Sequence, residues 1–166
     1  MNSIELLVKQ LNTGNDWLKM ILGDFSDADL LARPAPGANH VLWQLGHLIS
    51  GEVMMMNAVK PGAMPELPAG FVERFDKKNA GVDDTKQFGN IVSKQQLLDL
   101  KTKVRAATIA IVKSFKPEDL DKPSPEMMRS FCPTLADFLG LHSHHDMMHM
   151  GQFQVARRKL GKPVIF

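Results

Sequence analysis

The sequence predicts an all-α fold, a four-helix bundle with a long crossover between its second and third helices. Three observations carry that prediction. Four stretches of roughly 20 residues repeat their apolar side chains at helical spacing. No run alternates as a strand does, and the chain has no tyrosine and few clusters of β-branched residues. The prolines fall at the edges of the four stretches or in the links between them.

The first stretch reads from Ser3 to Leu22, with Ser3 as N-cap and with Ile4, Leu7, Leu11, Leu18 and Ile21 or Leu22 near the helical period. Gly23 offers a C-cap, and a link from Asp24 follows, broken by Pro34, Pro36 and Gly37. Asn39 starts the second stretch, NHVLWQLGHLISGEVMMMNAV, which ends before Pro61-Gly62. The third begins at Ser93, which makes a capping-box pattern with Gln96, and its stripe is Leu97, Leu100, Val104, Ala107 and Ile111. It stops near Lys116-Pro117. The fourth runs from about Thr134, just after Pro133, to Leu160, and Gly161-Lys162-Pro163 closes it.

The link from Pro61 to Val92 is too long for a turn between antiparallel neighbours. It carries Met64, Leu67, Phe71, Phe75 and Phe88, so it reads as a crossover packed over one end of the bundle. The proline-rich link from Lys116 to Pro133 has the character of a pocket wall or lid. Nothing repeats internally at a fixed period.

Length and composition set the class. The 166 residues are enough for one domain, spanning 1–166, with a core that needs no staples. Twenty basic and 18 acidic residues are spread through the chain, which gives no reason to expect a nucleic-acid or membrane-surface partner. A single cysteine, Cys132, excludes an intrachain disulfide and reads as a buried thiol. The N-terminal MNSIELLVKQLNTGND mixes polar and apolar residues unlike a signal or transit peptide, so a cytoplasmic location is expected.

The chemistry concentrates in the histidines. His145 and His149 lie four apart on the fourth stretch, hence one helical turn apart on one face. Imidazoles facing the interior of a bundle need a partner, and a metal ion supplies one; Met147 and Met148 would then pack on neighbouring helices. His47, on the second stretch, is the third expected ligand. Gly46 and Gly51 flank it at a cost of about 1 kcal/mol each relative to alanine, which close helix approach or room for a ligand would justify. Two ligands from one helix and one from another leave a coordination position open, the arrangement of a catalytic site.

Gln44 and Ser50 lie about a turn from His47 and are read as partners of a ligand or as pocket lining. His142 projects to the side of His145 as a fourth ligand, a partner of a ligand or a pocket residue, with the latter two favoured. Gln152 lies on the ligand side and can orient a ligand or substrate or simply pack. His144 points away, and His40 reads as a solvent-facing residue of the first turn. Glu52 is ~140° round the helix from His47 and is a poor general base. The run Arg157-Arg158-Lys159 reads as a solvated face, and Met54-Met55-Met56 as core filling or a pliable interface. There is no HExxH, CxxC, GxGxxG or Walker pattern, and no pair of Glu-x-x-His motifs.

NHVLWQLGHLISGE and HDMMHMGQFQVARRKLGKP together resemble the two signature regions of the DinB-like superfamily, and Leu67–Phe71 resembles its crossover segment. The resemblance implies a metal-binding four-helix bundle in which His47, His145 and His149 hold a divalent ion, zinc or nickel foremost. It also implies activities among thiol-dependent S-transferases, with a small-molecule thiol as cosubstrate, or among metal-dependent hydrolases. The partners expected are a small-molecule substrate and, through helix faces, a second copy in a homodimer. A non-catalytic metal- or ligand-binding bundle, closed by His142, and a metal-free interaction module are the alternatives.

Overall fold

A computed structural model describes residues 1–81 and 93–165. It contains α1 (Ser3–Leu22), α2 (Val41–Val59), a short α3 (Phe71–Arg74), α4 (Lys94–Lys113) and α5 (Leu135–Lys159). Among the described residues there is no strand, only an isolated bridge between Pro123 and Thr134. Phe88, expected in the crossover, lies outside the described residues.

The helix starts are set by side chains that accept the first free backbone N–H groups. Ser93 with Gln96 and Thr134 with Asp137 form capping boxes at α4 and α5. At α1 the cap is Asn2, paired with Glu5, and Ser3 is already helical. The second helix begins two residues after Asn39. His40 is its cap, and its Nδ1 accepts the Trp43 N–H at 2.9 Å. That bond draws His40 inward to 2 % exposure, so it does not face solvent. Gly161, at φ +70°, turns the chain after α5 so that the Lys162 N–H reaches the Arg157 carbonyl at 2.9 Å.

Helix α1 packs on α4 and α5, and α2 packs on the same two, so α1 and α2 face each other across the core. Contacts along the helices fix their directions. Ser143 of α5 donates to the Gln10 carbonyl and Arg157 to that of Ile21, so α1 and α5 run parallel. Lys94, at the start of α4, donates to the Leu22 and Phe25 carbonyls at the end of α1, making that pair antiparallel. Gln44 and His47 of α2 meet His149 and His145 of α5 in the antiparallel sense. It follows that α2 and α4 are parallel neighbours.

A parallel pair cannot be joined by a turn. The chain must return the length of α2, about 28 Å at 1.5 Å per residue, before α4 can begin. The described part of the crossover does this alongside α2 rather than over one end of the bundle. Met64 and Phe71 lie by Val53 and Asn57, Phe75 lies on Gly46, and the Gly81 N–H donates to the Asn39 side chain at 2.6 Å. Phe71 and Phe75 are each 1 % exposed. Gly46 is what admits Phe75, because a Cβ there would overlap the phenyl ring. Gly51 has open space above it instead. The other long link stays with the start of α5, where the Leu135 N–H reaches the Lys122 carbonyl and the Ser124 hydroxyl that of Cys132. Cys132 is buried, and burial pushes its thiol pKa up.

Four charged side chains meet in the middle of the bundle. Lys101 Nζ lies 2.7 Å from Glu52 Oε2 and 2.8 Å from Asp146 Oδ1. Arg105 Nη2 lies 3.0 Å from the same Glu52 oxygen and 2.7 Å from Asp146 Oδ2. All four side chains are essentially inaccessible to water. Burial alone would raise the Glu52 pKa, but Lys101, Arg105 and His142 together hold it far below the usual carboxylate range. Arg157 is likewise inside, not on a solvated face. It is 2 % exposed and binds Asp24 and the carbonyls of Ile21 and Pro163, which supply the acceptors its burial requires. Of the three methionines in α2, Met55 and Met56 fill the core and Met54 is exposed.

Lys101→Met leaves Glu52 and Asp146 facing one cation instead of two, and is expected to destabilise the fold by about 3–5 kcal/mol. Urea denaturation of the two proteins at pH 7 measures this directly. Gly46→Ala drives a methyl group into Phe75 and is expected to cost roughly 1–3 kcal/mol. In hydrogen exchange, it should loosen the segment around Phe75 before the helices.

Candidate metal centre

Helix α5 presents His145 and His149 one turn apart, and α2 brings His47 opposite them. One ring nitrogen of each lies within 4.8 Å of those of the other two. The Nε2 atoms of His145 and His149 are 3.1 Å apart, and the ring centroids are 4.8–5.7 Å apart. His149 is buried at 5 % exposure, while His47 and His145 are partly open to solvent. Trp43 lies flat on the His47 ring, with centroids 4.9 Å apart and planes 7° from parallel.

Two of the three histidines also have a partner outside the cluster. His149 Nδ1 is 2.7 Å from Gln44 Oε1, and Gln44 Nε2 donates to the Asn39 carbonyl at 2.7 Å. His47 hydrogen-bonds to the backbone of Phe75, carried there by the crossover. Neighbours of this kind hold imidazoles in the orientation and tautomer that metal ligation requires.

The electrostatics keep the rings neutral. Burial, then the proximity of His145, His47 and Lys101, pushes His149 down to about 3. Burial, with His47 and Lys101 adding to it, pushes His145 down to about 4. Burial lowers His47 as well. Near neutral pH each imidazole therefore has a lone pair to offer. A tetrahedral ion with bonds of about 2.0–2.1 Å needs nitrogens about 3.3 Å apart, and the spacings of the triad bracket that value. The donor set fits a divalent ion of borderline softness.

The other sequence candidates sit apart from this centre. His142 is 2 % exposed within the core, edge-on to Phe138, and is not among the clustered nitrogens. Its position, one turn deeper along α5, puts it in the field of the buried charges. The closed four-histidine site is thus not formed among the described residues. Ser50 donates to the His47 carbonyl at 3.3 Å, a bond within α2 that leaves the imidazole untouched. Gln152 is half-buried and has no hydrogen bond to a site histidine. His144 is exposed, as its phase on the helix implies. Met147 and Met148 are 40 % and 57 % exposed, so they do not pack on neighbouring helices as expected. The interior side of that turn is occupied by Asp146 instead.

Sequence reasoning missed Asp146, Lys101 and Arg105 as interior residues, and the carbonyls of Asn39 and Phe75 as anchors of the site. The charged residues carried a signal: Lys101 and Arg105 fall in phase with Leu97, Val104 and Thr108 on the buried side of α4. The carbonyls carried none, because any residue supplies one.

A bundle with a three-histidine centre drawn from its second and last helices is the kind of protein that fold and site define. The profile of the DinB superfamily matches residues 10–153, and the chain belongs to that family. No curated protein matches it. Among solved structures it is similar to a conserved protein from Enterococcus faecalis, at 20% identity and a TM-score of 0.74, over 98% of this chain and 99% of that one. It is also similar to YfiT from Bacillus subtilis, described as a probable metal-dependent hydrolase with an unusual four-helix bundle topology. That match has 16% identity and a TM-score of 0.63, and covers 96% of this chain and 89% of YfiT.

His142 provides a test of the interior electrostatics away from the triad. Burial first, and the buried cations after it, push its pKa down to about 4, below an unfolded value of about 6.5. The unfolded chain therefore takes up a proton before the folded one. The contribution is fully present above about pH 6.5 and is lost as pH falls toward 4. Between pH 7 and pH 5, His142 alone is expected to remove about 2 kcal/mol. Urea midpoints of the metal-free protein should fall less over that interval in His142→Phe than in the wild type.

Proposed function

We propose that His47, His145 and His149 hold a divalent metal ion, zinc or nickel, and that the protein is a metal-dependent enzyme acting on a small molecule. The reaction class is hydrolysis or transfer to a small-molecule thiol. The observation that carries this reading is the convergence of three neutral imidazoles from two helices, with no fourth protein ligand in the cluster among the described residues. The description of YfiT as a probable metal-dependent hydrolase supports it. When bound there, such an ion supplies Lewis acidity, polarising a carbonyl or lowering the pKa of a water or thiol at its open position.

The protein's own contribution is placement and charge. Gln44 and the Phe75 backbone orient two of the ligands. Trp43 and Phe75 wall the His47 side with apolar surface. The acidic side chains nearest in the chain, Glu52 and Asp146, are committed to Lys101 and Arg105 and cannot serve as a general base. Asp76, exposed on the crossover, is the carboxylate whose field reaches His47. A reaction whose nucleophile needs no carboxylate to ionise it suits this arrangement best, and a thiol meets that condition more readily than water.

Elemental analysis of untagged protein should find near-stoichiometric zinc or nickel, lost in His145→Ala. The loaded protein can then be assayed for conjugation of small thiols to electrophiles and for ester or amide hydrolysis. Absence of bound metal after reconstitution with divalent ions would overturn the reading.

A further inference from the structure

We infer that Gln44 is a positioning residue: directed by the Asn39 carbonyl, its side chain fixes His149 as the Nδ1–H tautomer, with the Nε2 lone pair toward the centre of the triad. The argument is one of hydrogen-bond polarity. A backbone carbonyl can only accept, so the Gln44 atom 2.7 Å from the Asn39 oxygen must be the amide nitrogen. The other end of the amide, 2.7 Å from His149 Nδ1, is then the oxygen, which also can only accept. The proton of this contact must come from His149 Nδ1. A neutral imidazole has one N–H, so Nε2 is left with its lone pair, and it is Nε2 that lies 3.1 Å from His145 Nε2. Gln44 is 1 % exposed, so water does not compete for either end of its amide.

Asn39 has a second bond that ties this relay to the crossover. Its side-chain oxygen accepts the Gly81 N–H at 2.6 Å while its backbone oxygen orients Gln44. The residue that docks the end of the described crossover segment is thus the one that sets the polarity of the relay. For its consequence, tighter metal binding, the inference rests on the proposed metal centre; its geometry does not.

The test uses metal-free protein labelled with ¹⁵N on histidine, near neutral pH, with long-range proton–nitrogen correlation reporting the tautomer of His149. The wild type is expected to show Nδ1–H. Gln44→Leu, which fills the volume but removes the acceptor, should shift His149 to Nε2–H or to a mixture. Gln44→Glu keeps an acceptor for His149 Nδ1–H but has no donor for the Asn39 carbonyl, so it should retain Nδ1–H with the link to Asn39 lost. Competition titration with zinc should show a loss of affinity of about 10–100-fold in Gln44→Leu, with partial recovery in Gln44→Glu. Circular dichroism and urea midpoints verify that both variants fold. An Nε2–H signal in the wild type, or an unchanged Nδ1–H signal in folded Gln44→Leu, would overturn the inference, whether or not zinc binds. A tautomer that switches as expected in a protein that binds no zinc would uphold the positioning role and overturn the metal centre.

Discussion

Two cations and two anions, enclosed where water does not reach, hold the middle of this bundle together. Lys101 and Arg105 come from α4, Glu52 from α2 and Asp146 from α5, so three helices meet through charge where most bundles meet through apolar packing. Such a cluster holds only if its members neutralise one another, since each alone would carry a desolvation penalty of several kcal/mol. The matching is geometric as well as numerical: each cation touches both anions. That requirement sets the rotation of all three helices about their axes, because a turn of any one would strand a charge.

The histidine centre inherits this alignment. Asp146 follows His145 directly and stands three residues before His149, so the rotation that points Asp146 at α4 is the one that points both histidines toward α2. Lys101, held in place by two carboxylates, adds a fixed positive field that helps keep His145 and His149 deprotonated. The core cluster and the site are therefore one construction, with the same turn of α5 serving both. The crossover completes it from outside, since Phe75 reaches the His47 side only because Gly46 lacks a side chain.

Much of this was legible in the sequence. The four long helices, the crossover and the pairing of His145 with His149 follow from spacing. The addition of His47 rested on the need for a third ligand from a second helix and on the resemblance to the DinB-like superfamily. Gln44 was legible from spacing, one turn before His47. What spacing could not give is direction: it left His142 open as a ligand, whereas the structure buries it one turn away from the centre. The run at Arg157 was read as a solvated face, which failed for Arg157, and Lys101, Arg105 and Asp146 were passed over. Each has partners from helices distant in sequence, and pairing across such distances leaves no local trace. The path of the crossover along α2 depended on α2 and α4 being parallel, which the length of the link hints at and only contacts can establish.

The parallel pairing of α1 with α5 bears on how the chain comes into being. Helix α1 leaves the ribosome well before α5, one of the two helices it packs on. At about 5–20 residues per second, roughly 6 to 27 seconds of synthesis separate them. During that interval α1 can dock on α4 but not on α5, and the carboxylate that balances the cations of α4 is still missing. Assembly is therefore a late event that waits on the stretch carrying Asp146, His145 and His149. A chain that stalls before that stretch has neither the neutral interior nor the site.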